Sequence, residues 1–138
     1  MRSDKSVINI YKKQSTKSEV ITQLLYGETF KVLKKLGSWI KIKNNSDNYY
    51  GYIKNRKFSI DQKNTHKICK LNANLYIKPN LKRKIKKKLS FGSKIKVTKK
   101  KYNFCKFDNL WIKKRDLKKI NYKTKNIFKN INQFKNIK

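Results

Sequence analysis

The sequence predicts an all-β protein: two small, partly open barrels in tandem, followed by a short C-terminal α-helix. Three features predict it. Short segments of alternating apolar and polar residues run as far as Ile120, separated by Gly, Asn, Ser or Pro, which is the pattern of half-buried strands joined by turns. One stretch, Glu19 to Ile42, returns in altered form sixty-five residues later, so that Val20 falls on Ile85, Leu24 on Leu89, Gly27 on Gly92, Val32 on Val97 and Ile42 on Phe107. A helical period of three and four residues appears only beyond Ile120.

Taken in order, Ile8-Asn9-Ile10-Tyr11 alternates as a short strand, and Lys12 to Ser18 is a polar loop. Glu19 to Tyr26 is the next strand. A glycine ends it in both copies, Gly27 and Gly92, which points to a positive φ in a tight turn. Thr29 to Lys34 directs Phe30 and Val32 inward and Lys31 to solvent. Gly37-Ser38 then turns the chain into a strand from Trp39 to Lys43. The polar run Asn44 to Asn48 makes a hairpin loop, and Tyr49 to Lys54 returns beside it.

The second copy opens with Ala73-Asn74-Leu75-Tyr76 and turns at Pro79. Lys84 to Phe91 and Lys94 to Thr98 repeat the next two strands, the latter with Ile95 and Val97 inward. Phe104 to Phe107 is followed by only Asp108-Asn109 before Leu110-Trp111-Ile112, a tight hairpin. That connection is six residues shorter than its counterpart, and the offset drops to fifty-nine. Beyond it Tyr52 meets Trp111, Ile53 meets Ile112, Arg56 meets Arg115 and Phe58 meets Leu117, so the repeat survives the deletion.

Residues 6–60 and 66–120 are accordingly read as two domains, with 61–65 as a linker and His66, at its edge, read with it. A sheet of five or so short strands without a covering helix can bury its apolar side only by curling on itself. Domains of about 60 residues bury only about 60% of their unfolded surface, so packing of the two on each other is expected to add stability. In residues 121–138, Ile127, Phe128, Ile131 and Phe134 place an apolar stripe on one side of a helix from Lys125 onward. That stripe would cover the second barrel or open a further domain.

The formal charge is +32, from 39 Lys plus Arg against 7 Asp plus Glu. Such a field would gather nucleic acid, anionic lipid or another acidic polymer. The excess is nearly all Lys and travels with Asn and Ile, the trio an A/T-rich coding sequence favours, and it is spread along every segment. Compositional drift is therefore preferred over a polyanion partner. No window approaches the roughly 20 apolar residues of a membrane span, and the N-terminal residues lack the apolar core of a secretory signal. The expectation is a cytoplasmic chain in which Cys69 and Cys105 are free thiols, although their spacing leaves a disulfide open.

Catalysis is not expected. A thiol peptidase needs a low-pKa cysteine, a histidine to take its proton and a group to orient that base. His66 is the single histidine, three residues from Cys69 and outside any nucleophile motif; Cys105 takes the place of Ile40 in the repeat and reads as a core thiol. One His and two Cys without ligand spacing make no metal site, and no glycine-rich phosphate loop occurs, so no cofactor is expected. Binding is the remaining role. Trp39 and Lys41 face away from Ile40 and Ile42, while Tyr49, Tyr50 and Tyr52 lie on the paired strand. Trp39, Lys41, Tyr50 and Tyr52 are thus the candidate ligand-binding residues, with Trp111 as a counterpart, for stacking on sugar, peptide or nucleobase. The other reading of Trp39 and Tyr52 is that they cap the barrel core.

Ile8-Asn9-Ile10-Tyr11 with Ser18-Glu19-Val20-Ile21, then Gly27, Phe30-Lys31-Val32, Trp39-Ile40-Lys41-Ile42 and Gly51-Tyr52-Ile53, resembles the bacterial SH3-like domain. That family runs from an L-N-V-R-like opening through V-I and a turn glycine to a W-x-K-V strand and a final G-W-V/I. Tyr11 and Tyr76 stand where the family usually has Arg, Tyr52 replaces the final Trp, and Leu110 replaces the Gly before Trp111. Two such units and a helix resemble the N-terminal half of NlpC-type cell-wall cysteine peptidases, which cut γ-D-glutamyl bonds to a diamino acid. The resemblance implies a non-catalytic module that positions a peptidoglycan stem peptide or limits access to a separate or downstream NlpC-type catalytic domain. The alternative is a free-standing basic nucleic-acid-binding protein.

Overall fold

A computed structural model gives the fold. Residues 1–120 are described, and the helix expected over 121–138 lies outside them. All strand pairs among the described residues are antiparallel. Strands β1 (Val7–Tyr11), β2 (Val20–Leu25), β3 (Phe30–Leu36), β4 (Trp39–Asn44) and β5 (Tyr50–Lys54) form a five-stranded sheet of order β2-β1-β5-β4-β3. Next come β6 (His66–Ile68), β7 (Asn72–Tyr76), β8 (Lys84–Ser90), β9 (Lys94–Ile95) and β10 (Lys99–Lys101). The last are β11 (Phe104–Phe107), β12 (Leu110–Lys113) and β13 (Leu117–Lys119). They make a five-stranded sheet, β10-β11-β12-β7-β8, and a three-stranded one, β13-β6-β9. Read from β8 to β10, the second large sheet has the strand order of the first. The described residues are nearly all β, as expected, with two short 3-10 turns at Leu81–Arg83 and Lys114–Asp116, and they form open sheets rather than closed barrels.

The cores repeat residue by residue. Ile10, Leu24, Phe30, Ile40, Ile42, Ile53 and Phe58 fill the first; their counterparts Leu75, Leu89, Ile95, Cys105, Phe107, Ile112 and Leu117 fill the second. Each is the inward member of an alternating strand or the anchor just after one, so the alternation read in the sequence is the alternation of burial.

Three differences separate the copies. First, β3 is continuous, whereas its counterpart splits into β9 and β10. The Val97 N–H goes to the Thr65 hydroxyl at 2.9 Å instead of into the ladder. Second, His66 belongs to a strand, not to a linker edge: β6 pairs with both β13 and β9. Arg2 makes the same two connections in the first copy, as isolated bridges to Thr29 and Ser59. Their counterparts are Lys94 and Lys118, which flank Lys67. The repeat therefore reaches back to Arg2, ahead of residue 6.

Third, Tyr26 leaves its own unit. Its counterpart Phe91 is 39% exposed, but Tyr26 is 2% exposed and sits in the second core. Its ring meets Phe107 edge-on at 5.6 Å between centroids. The Lys94 N–H donates to the Tyr26 carbonyl at 2.8 Å. Gly27 and Gly92 both have positive φ, 80° and 89°, but only at Gly27 is space also exhausted: a Cβ there would stand 1.8 Å from the Lys94 carbonyl oxygen. Ser6 Oγ donates to the Lys88 carbonyl at 2.7 Å and Asn64 Nδ2 to the Gly27 carbonyl at 3.1 Å. The units are thus joined by an aromatic ring and by hydrogen bonds to backbone carbonyls, and burial of the Tyr26 ring alone contributes on the order of 2 kcal/mol.

Candidate functional site

The outer face of β4 and β5 is built by strict alternation. Ile40, Ile42 and Asn44 point inward from β4 and Gly51 and Ile53 from β5; Trp39, Lys41 and Lys43, with Tyr50, Tyr52 and Lys54, are left on the other side. The register then sets one ring against one lysine at each rung: Trp39 opposite Lys54, Lys41 opposite Tyr52, Lys43 opposite Tyr50. The Lys54 ammonium lies 5.8 Å from the Trp39 ring centroid, and that of Lys43 lies 5.8 Å from Tyr50. At partly exposed sites each such contact contributes about 0.5–1 kcal/mol and orients the ring.

Trp39, Lys41, Tyr50 and Tyr52 therefore share one face. Tyr11 joins them, a residue that sequence reasoning noted only as a departure from Arg. It pairs with Tyr52 in the ladder, and its ring meets Trp39 edge-on at 6.0 Å. Its place on the edge of β1 beside β5, not its sequence neighbours, brings it there. Tyr50 is 53% exposed, and Trp39, Tyr52 and Tyr11 are half-buried. Trp39 and Tyr52 are not the cap of the inner core, which Ile40 and Ile53 fill from the opposite face.

Trp111 is placed differently. The second unit repeats the three ring positions as Tyr76, Phe104 and Trp111, with the Lys113 ammonium 5.9 Å from Tyr76 and that of Lys106 5.9 Å from Trp111. Here the rings form a closed cluster, Tyr76 and Phe104 edge-on at 5.2 Å and Trp111 only 7% exposed. An indole with its face so covered is a packing residue and offers no stacking surface.

Cys69 and Cys105 are free thiols. Burial pushes both upward from the ordinary thiol range, against the opposing pull of Lys118 at Cys69 and Lys100 at Cys105. Burial, then Lys100 and Lys119, lowers the His66 imidazole, whose Nδ1 lies 2.7 Å from the Thr65 hydroxyl. No hydrogen bond joins His66 to either thiol among the described residues, and the upward direction of both thiols is opposite to the one that activates a nucleophile. Among the described residues no group of three His, Cys, Asp or Glu could hold a metal ion, and no helix is long and apolar enough to cross a membrane.

Comparison with known proteins bears on the first unit and on the whole fold. Residues 6–58 match the family model described as bacterial SH3 domain. A search of curated proteins by sequence gives no match. Among solved structures, the crystal structure of an NlpC/P60 family protein from Bacillus cereus is similar, with a TM-score of 0.68 at 16% identity over 91% of this chain. The chain spans 57% of the length of that structure. At that identity the likeness is one of fold. The strand order β2-β1-β5-β4-β3 and the alternating core belong to the stretch, residues 6–58, that matches the bacterial SH3 domain.

Proposed function

We infer that this chain is a non-catalytic binding module of a peptidoglycan-peptide hydrolase, and that the outer face of β4 and β5 holds a stem peptide or limits access to an NlpC-type catalytic domain, separate or downstream. The observation that carries this reading is the ladder in which Trp39, Tyr52 and Tyr50 alternate with Lys54, Lys41 and Lys43. Rings provide flat apolar area at low entropic cost, and the flanking ammonium groups suit the carboxylates of a short peptide. The bacterial SH3 match and the fold likeness to an NlpC/P60 family protein support it.

Titration of the purified chain with a murein tripeptide and with a random oligonucleotide, each at two salt concentrations, tests it. Tripeptide binding should depend on Trp39 and Tyr52 and fall with salt far less steeply than binding of a polyanion does. Oligonucleotide binding that falls steeply with salt and survives Trp39→Ala and Tyr52→Ala, with no binding of tripeptide, replaces this reading with a basic nucleic-acid-binding protein.

A further inference from the structure

A second surface stands apart from the ring face. A cleft of about 760 Å³ opens on the second unit, within the roughly 300–1,000 Å³ range of small-ligand sites. Leu81, Phe104 and Leu117 give it apolar walls, Lys113, Lys114 and Arg115 give it positive charge, and no Asp or Glu lines it.

The internal repeat indicates what this charge is for. Arg115 is the counterpart of Arg56, and Leu117 of Phe58. In the first unit the Arg56 guanidinium lies over the Phe58 ring at 5.3 Å and is held by Asp4, Nη2 to Oδ1 at 3.3 Å. At the sixty-five-residue offset, Asp4 becomes Cys69, whose neutral thiol reaches only the Arg115 carbonyl at 3.8 Å. No acidic side chain pairs with the Arg115 guanidinium among the described residues.

Six of the seven acids are already engaged or buried, and the seventh, Glu19, is exposed in the first unit just before β2. Asp61 and Asp108 are engaged by the N-terminus and Arg2. Glu28 accepts from the Leu25 N–H and Asp47 from Thr22. Asp116 is buried, and residues 121–138 contain no Asp or Glu. We propose that the cleft bordered by Leu81, Phe104, Leu117 and Lys113 to Arg115 binds the carboxylates of a short acidic peptide, which takes at Arg115 the place Asp4 takes at Arg56. A planar guanidinium beside a lysine pair recognises a carboxylate by paired hydrogen bonds, and Leu81, 64% exposed on the cleft wall, receives the peptide's aliphatic stems. A nucleic acid fits less well, because the adjoining rings Phe104 and Trp111 are buried and present no stacking platform. The site does not depend on the ring face of the first unit.

The test is calorimetric titration of the full chain with N-acetylated, C-amidated Ala-Glu-Glu-Ala and with its Ala-Gln-Gln-Ala twin at about 0.15 M salt. One glutamate peptide should bind per chain and the glutamine twin should not. Arg115→Gln, an exposed position, should weaken binding about tenfold or more. Cys69→Asp, which restores the first unit's carboxylate, should block it while the thermal midpoint confirms folding. Lys12→Gln with Lys13→Gln, in the loop of the first unit, should leave it unchanged. Equal binding of both peptides, or equal weakening by the loop pair and by Arg115→Gln, would overturn the proposal. So would inorganic phosphate competing as strongly as the peptide.

Discussion

Tyr26, just past the end of β2, donates its hydroxyl hydrogen bond to Asp108 Oδ2 in the β11–β12 hairpin, and Arg2 Nη1 meets that same oxygen at 2.9 Å. One carboxylate of the second unit is thereby shared by two residues of the first. The hairpin can place it there because Asp108 and Asn109 both adopt positive φ, 43° and 64°, the backbone of a two-residue turn that matches strand twist. The Lys87 ammonium, 5.1 Å from the Tyr26 ring centroid, closes the other side.

Removing the Tyr26 ring should loosen the junction. Tyr26→Ala is expected to destabilise the chain by about 3–5 kcal/mol, as for other large buried aromatics. Tyr26→Phe, which keeps the ring and leaves Arg2 on Asp108, should cost about 1–2 kcal/mol. Urea unfolding followed by tryptophan fluorescence measures both, and equal stability of Tyr26→Ala and the parent chain would show that the junction contributes nothing.

The same phenol makes stability pH-dependent. Burial first, and then the Asp108 carboxylate, raise its pKa above the ordinary value of 10.0. The folded chain keeps a proton that the unfolded chain releases, so the contribution is complete below pH 10 and declines as pH rises past it. Lysine discharge affects parent and variant alike. The difference in stability between the parent chain and Tyr26→Phe should therefore shrink from pH 9 to pH 11; a constant difference would deny the shift.

Two glycines separate backbone conformation from inter-unit contact. Gly37 has φ 71° with nothing within 4 Å of a built Cβ, and Gly37→Ala should cost only the left-handed strain, about 1–2 kcal/mol. Gly27→Ala adds a clash with the Lys94 carbonyl and should cost clearly more. Thermal melts of the two variants side by side decide it, and equal midpoints would place the Tyr26–Gly27 turn away from Lys94.

Trp39 and Trp111 should differ in how much their removal destabilises the fold. Trp111→Ala empties a buried cluster and is expected to cost about 3–5 kcal/mol. Trp39→Ala, on a half-exposed face, should cost about 1–2 kcal/mol. A Trp39→Ala loss as large as that of Trp111→Ala would make Trp39 a core residue rather than a surface one.

The net charge of +32 should make the fold salt-sensitive. With lysines on every segment and few acids to neutralise them, self-repulsion favours expansion, and salt screens it over about 10 Å at 0.1 M. The urea midpoint should rise between about 0.05 M and 0.5 M sodium chloride; a midpoint that falls would mean that the three ion pairs at Asp4, Asp61 and Asp108 outweigh the repulsion.

Much of the architecture is legible in the chain because strand alternation and turn chemistry are local. Ile40 and Ile42 against Trp39 and Lys41 is a pattern of period two, and it becomes inner and outer face directly. Asp108-Asn109 reads as a tight hairpin because few residue types accept positive φ. β6 escaped notice because three residues, His66 to Ile68, are too short to show a period, and their pairing with β9 and β13 is non-local. Tyr11 escaped for the same reason: it reaches Trp39 only across the sheet.

The sequence by itself determined the repeat, its register and the inward residues of each strand, because a two-residue period and an offset of sixty-five are properties of order along the chain. Tertiary structure alone decided which copies of a repeated residue do the same work. Tyr26 crosses into the neighbouring core while Phe91 stays outside, Trp39 lies on an open face while Trp111 is enclosed, and among the described residues Arg56 has a carboxylate partner while Arg115 has none. Burial and pairing depend on what arrives from distant segments, and no local pattern encodes that.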